Sequence, residues 1–393
     1  NKQSPRPNNL MRIHGVFRLI FGTKLYKLSL PKRATPPTGL LATDVWPGQS
    51  DFGQTILDSK IEFSDKFIGE ANTPWLIEGI SVDWPTDLSA FEWLRDIRAV
   101  GNEEARIRGR TLVVGWINTQ GHCNTIAWQP AVLGLRITNW LGHCDFLTGG
   151  SNGAFQQQFY SSLKQQTQHL RRTARFAAPG PAKIHALKGL IFSALAYGNI
   201  KQLQKSLGAL RAEIDKQILG DGGNIFRNPS LQLDYLRHFI DIRSALREGK
   251  SELPHWLQTT IDKLAPMLRF FRHGDGGLAL FNDSWEDQGW LIDVVLTRAE
   301  ARGKPYDSAP HSGFERLTAN RTLILIDVGA PPPKAFDTVA HAGSLSFELC
   351  VGKERLIVNC GSHHGKNSDW MLAQRSTAAH STVIVEDTNS VEL

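Results

Sequence analysis

Apolar positions along this chain change their period as the sequence is read. Up to residue 85, short apolar runs such as Phe67-Ile68-Gly69 and Trp75-Leu76-Ile77 lie among Pro, Gly and polar residues. This predicts a mixed segment, residues 1–85, of irregular structure with short strands. From Asp87 onward Phe91, Leu94, Ile97 and Val100 recur at helical spacing. The same periodicity predicts helices near 107–117, 130–147, 152–176, 183–198, 200–219, 229–248 and 255–272. After about Ala301 the period becomes that of strands, at Arg321–Val328, Ser344–Val351, Arg355–Asn359 and Ser381–Glu386. A run of helices (86–305) followed by a block of strands (306–393) points to an α+β chain rather than an alternating, parallel sheet.

The separators are turn chemistry. Pro179-Gly180-Pro181, Gly220-Asp221-Gly222-Gly223 and Gly274-Asp275-Gly276-Gly277 interrupt the helical pattern, because Gly reaches positive φ and Asp closes turns. The two Gly-Asp-Gly-Gly runs recur about one helix hairpin apart, consistent with repeated helix pairs. A phosphate-cradling loop is the rival reading, but neither run is followed by Lys-Ser/Thr.

Composition narrows the class. The chain has 393 residues, 41% hydrophobic and 21% charged, which is ordinary globular usage with room for two domains. The apolar stretch Gly15–Phe21 is broken by Arg18 and is too short for a membrane span. The first residue is Asn1 rather than Met, so a removed leader stays open. Cys123, Cys144, Cys350 and Cys360 lack zinc-ribbon or disulfide-framework spacing and read as buried thiols. A net charge of +6 favours an anionic partner. The basic residues are interleaved with acids and no nucleic-acid motif is present, so nucleic acid ranks last.

Three ordered segments carry a resemblance: His341-Ala342-Gly343-Ser344-Leu345-Ser346-Phe347-Glu348-Leu349, then Leu356-Ile357-Val358-Asn359-Cys360-Gly361, then Arg375-Ser376-Thr377-Ala378-Ala379-His380-Ser381-Thr382-Val383. With Met267–Gly276 and Phe281-Asn282 before them, they resemble bacterial heparinase II/III-like proteins. The resemblance implies an α/α toroid-type helical domain (86–305) followed by an antiparallel β-sandwich (306–393). Family members run on past the point equivalent to Leu393, so it also implies a sandwich only partly present here, with an open sheet edge. It further implies a polysaccharide lyase that cleaves uronic-acid-containing polymers by β-elimination, and an envelope or periplasmic location.

Such a lyase must neutralise the uronate carboxylate, remove the C5 proton and protonate the leaving oxygen. The resemblance places His341 among the acid/base candidates and makes His341, Asn359 and His380 a candidate zinc set. Many members carry Asp where Asn359 stands, and Val339 and Gly343 replace a further histidine and acid. The alternative is that His341 and His380 are buried histidines that hold strands together. In the helical region the family's Tyr-His pair is replaced by Leu231-Gln232. Tyr235 and His238, three residues apart on one helix face, are candidate substitutes or core-boundary residues. Arg227 and Asn228 precede Pro229 at a helix start, suited to hold a carboxylate or to act as an ordinary cap. Arg272 and His185 complete the candidate substrate-binding residues. His363-His364 are adjacent loop histidines and are set aside.

Two function classes remain beside each other: a lyase of acidic polysaccharides, and a non-catalytic glycan-binding or envelope protein on the same scaffold. A toroid glycoside hydrolase would need two carboxylates across the scissile bond, for which Asp221, Asp275 and Asp283 are the candidates.

Overall fold

The computed structural model describes residues 21, 23–31, 33–39, 42–58, 61–63, 66–68, 75, 83–120, 126–363 and 368–392. The stretch Gly15–Ile20, Leu76-Ile77, Cys123 and His364 lie outside the described residues. Two compact units are present, residues 1–207 and 208–393.

In the first unit the helices are α1 (Lys24–Leu28), α2 (Ser50–Leu57), α3 (Asp83–Ala90), α4 (Leu94–Val100), α5 (Glu103–Gln120), α6 (Pro130–Gly142), α7 (Cys144–Thr148), α8 (Gly153–Thr173) and α9 (Pro181–Ala196). The short strands β1 (Ile61–Phe63) and β2 (Lys66–Ile68) pair in the mixed segment, where short strands are expected, whereas helices α1 and α2 in the same segment are not. Local chemistry sets the ends. Asn152 caps α8 by accepting from Phe155 N at 2.8 Å, and Pro181 opens α9, where its missing N–H costs nothing.

Glycine decides how closely α6 and α9 approach. A Cβ on Gly189 would sit 2.6 Å from Gly134 Cα, and one on Gly134 would sit 2.1 Å from the His185 carbonyl oxygen. No larger residue fits this crossing.

The core of this unit is aromatic. Trp116, Trp128, Trp140, Phe91 and Phe159 are almost fully buried, and Trp116 and Trp140 meet edge to face at 5.6 Å. The buried Arg136 guanidinium lies 4.0 Å over the Trp116 ring, and it donates to Gln166 Oε1 and to the carbonyls of Ser89 and Ala127.

Helix α10 (Ile200–Gln217) spans the division between the units. The second unit continues with α11 (Pro229–Glu248), α12 (His255–Phe270) and α13 (Gly289–Ala299). Leu257, Ile261, Leu264, Ala265 and Leu268 form the buried stripe of α12, at the spacing of one helix face. The five strands β3 (Ser308–Ala309), β4 (Phe314–Ala319), β5 (Thr322–Asp327), β6 (Phe347–Val351) and β7 (Glu354–Ile357) form one antiparallel sheet in sequential order. Helix α14 (Ser368–Arg375) follows. The architecture is thus α+β, a toroid-type helical region leading into an antiparallel sheet of the sandwich class.

Several sequence expectations change in detail. Strand β4 and helix α13 were not expected; β4 is polar at Glu315, Arg316 and Thr318 and pairs along its length with the apolar β5. Ser381–Glu386 forms no strand. Among the described residues it has only an isolated bridge at Val385, and Val383 is 78% exposed, because β propensity gives a strand only where an edge is there to pair. Cys144 and Cys350 are buried, but Cys360 lies just past β7 and is exposed.

Both Gly-Asp-Gly-Gly runs are turns, and each does more than turn. Asp221 Oδ2 accepts from His311 N, Ser312 N and Ser312 Oγ, while Asp275 pairs with Arg355 at 2.7 Å. Each aspartate therefore joins a helical turn to the sheet.

Burial holds several histidines of the first unit neutral. His169, against Trp128 and hydrogen-bonded to the Tyr26 hydroxyl at 2.8 Å, has its pKa pushed down by burial to about 3. A base whose pKa is depressed on folding contributes full stability above its unfolded value of about 6.5, and this is lost as pH falls toward 3. Denaturant unfolding of wild type and H169Q at stepped pH should show a shallower loss below pH ~6.5 in the variant, by up to about 1.4 kcal/mol per pH unit. Parallel profiles would mean that His169 titrates the same way folded and unfolded.

Candidate functional site

The loop before α11 sets the first half of the site. Arg227 adopts φ 57°, an unusual conformation for a long side chain, and its guanidinium is buried against the sheet. It donates to the carbonyls of Ser312 (2.8 Å), Ala330 (2.9 Å) and Gly313 (3.0 Å) and to the Asp327 carboxylate, and stands 4.7 Å from the Phe314 ring centre. Burial raises the pKa of Asp327, and Arg227 opposes that rise. The carboxylate that Arg227 holds is thus the protein's own.

Asn228 is the N-cap of α11, accepting from Leu231 N at 2.8 Å, and Pro229 takes the first helical position. The same Oδ1 accepts from Ser284 Oγ at 2.9 Å, so its carbonyl oxygen is spent on structure. Gln232 is fully buried; its Nε2 donates to the Gly222 carbonyl at 2.7 Å, and its Oε1 accepts from Asn224 at 3.0 Å. Tyr235 is fully buried too, with its hydroxyl bonded to Gln217 and its pKa well above the ordinary tyrosine value, from burial and then Glu213. His238 is buried on the same helix.

A polar chain forms the second half. Glu348 points inward from β6, a carboxylate at zero exposure. Its Oε2 lies 2.7 Å from His273 Nε2, and its Oε1 accepts from Leu280 N at 2.8 Å and Asn359 Nδ2 at 3.1 Å. That last bond fixes the Asn359 amide, so Asn359 Oδ1 faces His380 Nδ1 at 3.0 Å and can only accept. His380 therefore carries its proton on Nδ1 and leaves a lone pair on Nε2.

The His341 ring is 5.2 Å from that of His380, and both are buried. His341 Nδ1 and His380 Nε2 are buried atoms without hydrogen-bond partners. Burial pushes the two pKa values down, to about 3 for His341 and about 4 for His380; His380 and Arg375 add to the fall at His341, whereas the Gln374 backbone and Glu348 oppose it at His380. Both are neutral imidazoles near neutral pH.

Asn282 links the two halves. Its Nδ2 donates to the Arg227 carbonyl at 2.8 Å, and its Oδ1 accepts from His341 N at 3.3 Å.

The structure thus brings His341, Asn359 and His380 together. It does not supply a closed zinc set. Asn359 has its oxygen committed to His380, and no group of three or more His, Cys, Asp or Glu with metal-ligand geometry exists among the described residues. Arg272 lies apart, donating to Gly276 O and paired with Asp293 at 2.6 Å. His185 sits in the first unit on α9, its pKa lowered to about 4 by burial. Of the three carboxylates considered for hydrolysis, Asp221 and Asp275 are engaged in the joints described above, and Asp283 accepts from Ser362 Oγ at 2.5 Å.

Sequence reasoning did not single out Asp287. Its carboxylate accepts from Ser230 Oγ at 2.6 Å beside the α11 start, and burial raises its pKa to about 7. Nothing in its loop sequence signals this. Glu348 had a signal, because strand alternation aims it inward with Cys350.

A toroid-type helical region leads into an antiparallel sheet, and a buried histidine cluster lies within the second unit. Residues 301–393 match the family model described as Heparinase II/III-like, C-terminal, and the fold of the chain is similar to that of solved heparinases. It is similar to a crystal structure of heparinase III, with a TM-score of 0.69 at 14% identity, covering 93% of this chain and 67% of that one. It is also similar to the heparan sulfate lyase HepC from Pedobacter heparinus, with a TM-score of 0.57 at 17% identity, covering 91% and 64%. Among curated proteins it is 28% identical over 372 residues to FtsZ-localized protein C of Caulobacter vibrioides (strain NA1000 / CB15N). That match covers 93% of this chain and 63% of the relative, so the chain spans less than two thirds of the relative's length.

Two outcomes follow from this geometry. Arg227→Met leaves Asp327 buried without its cation and should cost ~3–5 kcal/mol of unfolding free energy, much of it recovered in R227M/D327N; equal losses in the single and double variants would show that the ion pair is not the cause. Purified protein should carry little zinc, and His380→Ala should not change the amount by metal analysis. A stoichiometric zinc content lost in that variant would make His380 a ligand.

Proposed function

We propose that this chain is a non-cleaving, glycan-binding protein on a heparinase II/III-like scaffold, acting in an FtsZ-associated assembly of the bacterial division machinery. The observation that carries the reading is Gln232. Where the resemblance implies a Tyr-His pair, the chain has Leu231-Gln232, and the Gln232 amide is built into a buried network with Gly222 and Asn224. Tyr235 does not replace the lost base, because its hydroxyl is bonded to Gln217 at zero exposure. Similarity to an FtsZ-localized protein over 93% of the chain supports the same reading.

Lyase activity is the second reading, and His341 favours it. A neutral imidazole with a partnerless buried Nδ1, on a residue whose backbone N–H donates to the same Asn282 that holds the Arg227 carbonyl, has the protonation state a proton acceptor needs.

Two measurements separate the readings. A fluorescent fusion should co-localise with FtsZ and disperse when FtsZ is depleted, and the same images test the envelope location that the resemblance implies. Purified protein should bind an acidic polysaccharide by calorimetry, yet generate no ultraviolet-absorbing unsaturated uronate. Unsaturated product that disappears in His341→Ala would establish the lyase and sink the non-cleaving reading.

A further inference from the structure

A groove of about 610 Å³ opens on the helical part of the second unit, between the C-terminal half of α10 and the N-terminal half of α12. None of its lining residues belongs to the site around Asn228 and His341. Its walls are two parallel stripes at helical spacing. Arg211, Ile214 and Ile218 come from the α10 side, and Trp256, Thr259 and Lys263 from α12. Ile214 is buried, Ile218, Leu219 and Trp256 are half-buried, and Arg211 and Lys263 are exposed.

We propose that this groove docks an acidic, amphipathic peptide segment of a partner protein, with apolar side chains on the floor and carboxylates on the rim. The charge argument comes from three sources. Arg211 and Lys263 face the groove from opposite walls, with Asp215 as the one acid in its lining. Helix α12 begins there at Pro254, with no side chain capping its first turn, so its partially positive end faces the same space. The chain itself carries a net charge of +6.

The lining favours a peptide over a saccharide. The floor is branched aliphatic, and the lining's aromatic rings are those of Trp256 and His255 at one end of the groove. Both threonine hydroxyls are already spent on their own helix, Thr259 on the His255 carbonyl and Thr260 on the Trp256 carbonyl. A short amphipathic helix presents apolar anchors at matching spacing, with its carboxylates toward Arg211 and Lys263.

The test uses the full chain and a short fluorescein-labelled peptide of repeating Glu-Leu-Leu-Glu, read by fluorescence anisotropy. R211E/K263E and W256A should each weaken binding by about ten-fold or more. K201E/K205E places the same charge change on exposed α10 positions outside the groove and should leave binding within about two-fold. R211E/K263E and K201E/K205E should unfold thermally with wild type, because those side chains are exposed, and W256A should remain folded at the assay temperature. No binding of the peptide, equal weakening in the control, or binding of an oligogalacturonide at the groove without the peptide would each overturn the proposal.

Discussion

The guanidinium of Arg227 ties the start of α11 to the sheet. Buried between them, it satisfies three carbonyl oxygens and one carboxylate of the β3–β4 and β5 region, and it stands over Phe314. A buried cation of this kind is costly unless every donor is matched, so the loop before α11, the end of β5 and the turn before β4 must keep fixed positions. Asp221 and Asp275 add joints of the same type at their two turns, and Glu348 gathers His273, Leu280 and Asn359 from inside the sheet. These polar groups act together with the buried rings of Phe271, Phe281 and Phe314 where the helical turns meet the strands within this unit.

That economy shapes the chemistry that remains. Residues with the right identity to handle a uronate are largely consumed by the joint itself: Arg227 by Asp327, the Asn228 oxygen by its helix and by Ser284, and the Tyr235 hydroxyl by Gln217. His341 and His380 differ, since each keeps a buried nitrogen without a partner. Such atoms cost free energy to bury, and His143 and His273 each carry one as well.

The sequence by itself determined what depends on near neighbours. Helices from α4 to α12 were legible because their apolar stripes recur at 3.6 residues, and Asn228-Pro229 announced a helix start through groups a few residues apart. Strands β5, β6 and β7 and the pairing of Asp with Gly in the two turns were legible in the same way, whereas the histidine motifs were read through the family resemblance alone. Only the tertiary structure decided which polar side chains are free. Whether Arg227 meets a ligand or Asp327, a hundred residues away, depends on loop closure that no local pattern encodes. The same holds for Ser381–Glu386, a strand by composition and not by pairing, and for Asp287, whose raised pKa comes from burial beside Ser230. Periodicity is a property of the chain, whereas desolvation and hydrogen-bond partnership are properties of what folding brings beside it.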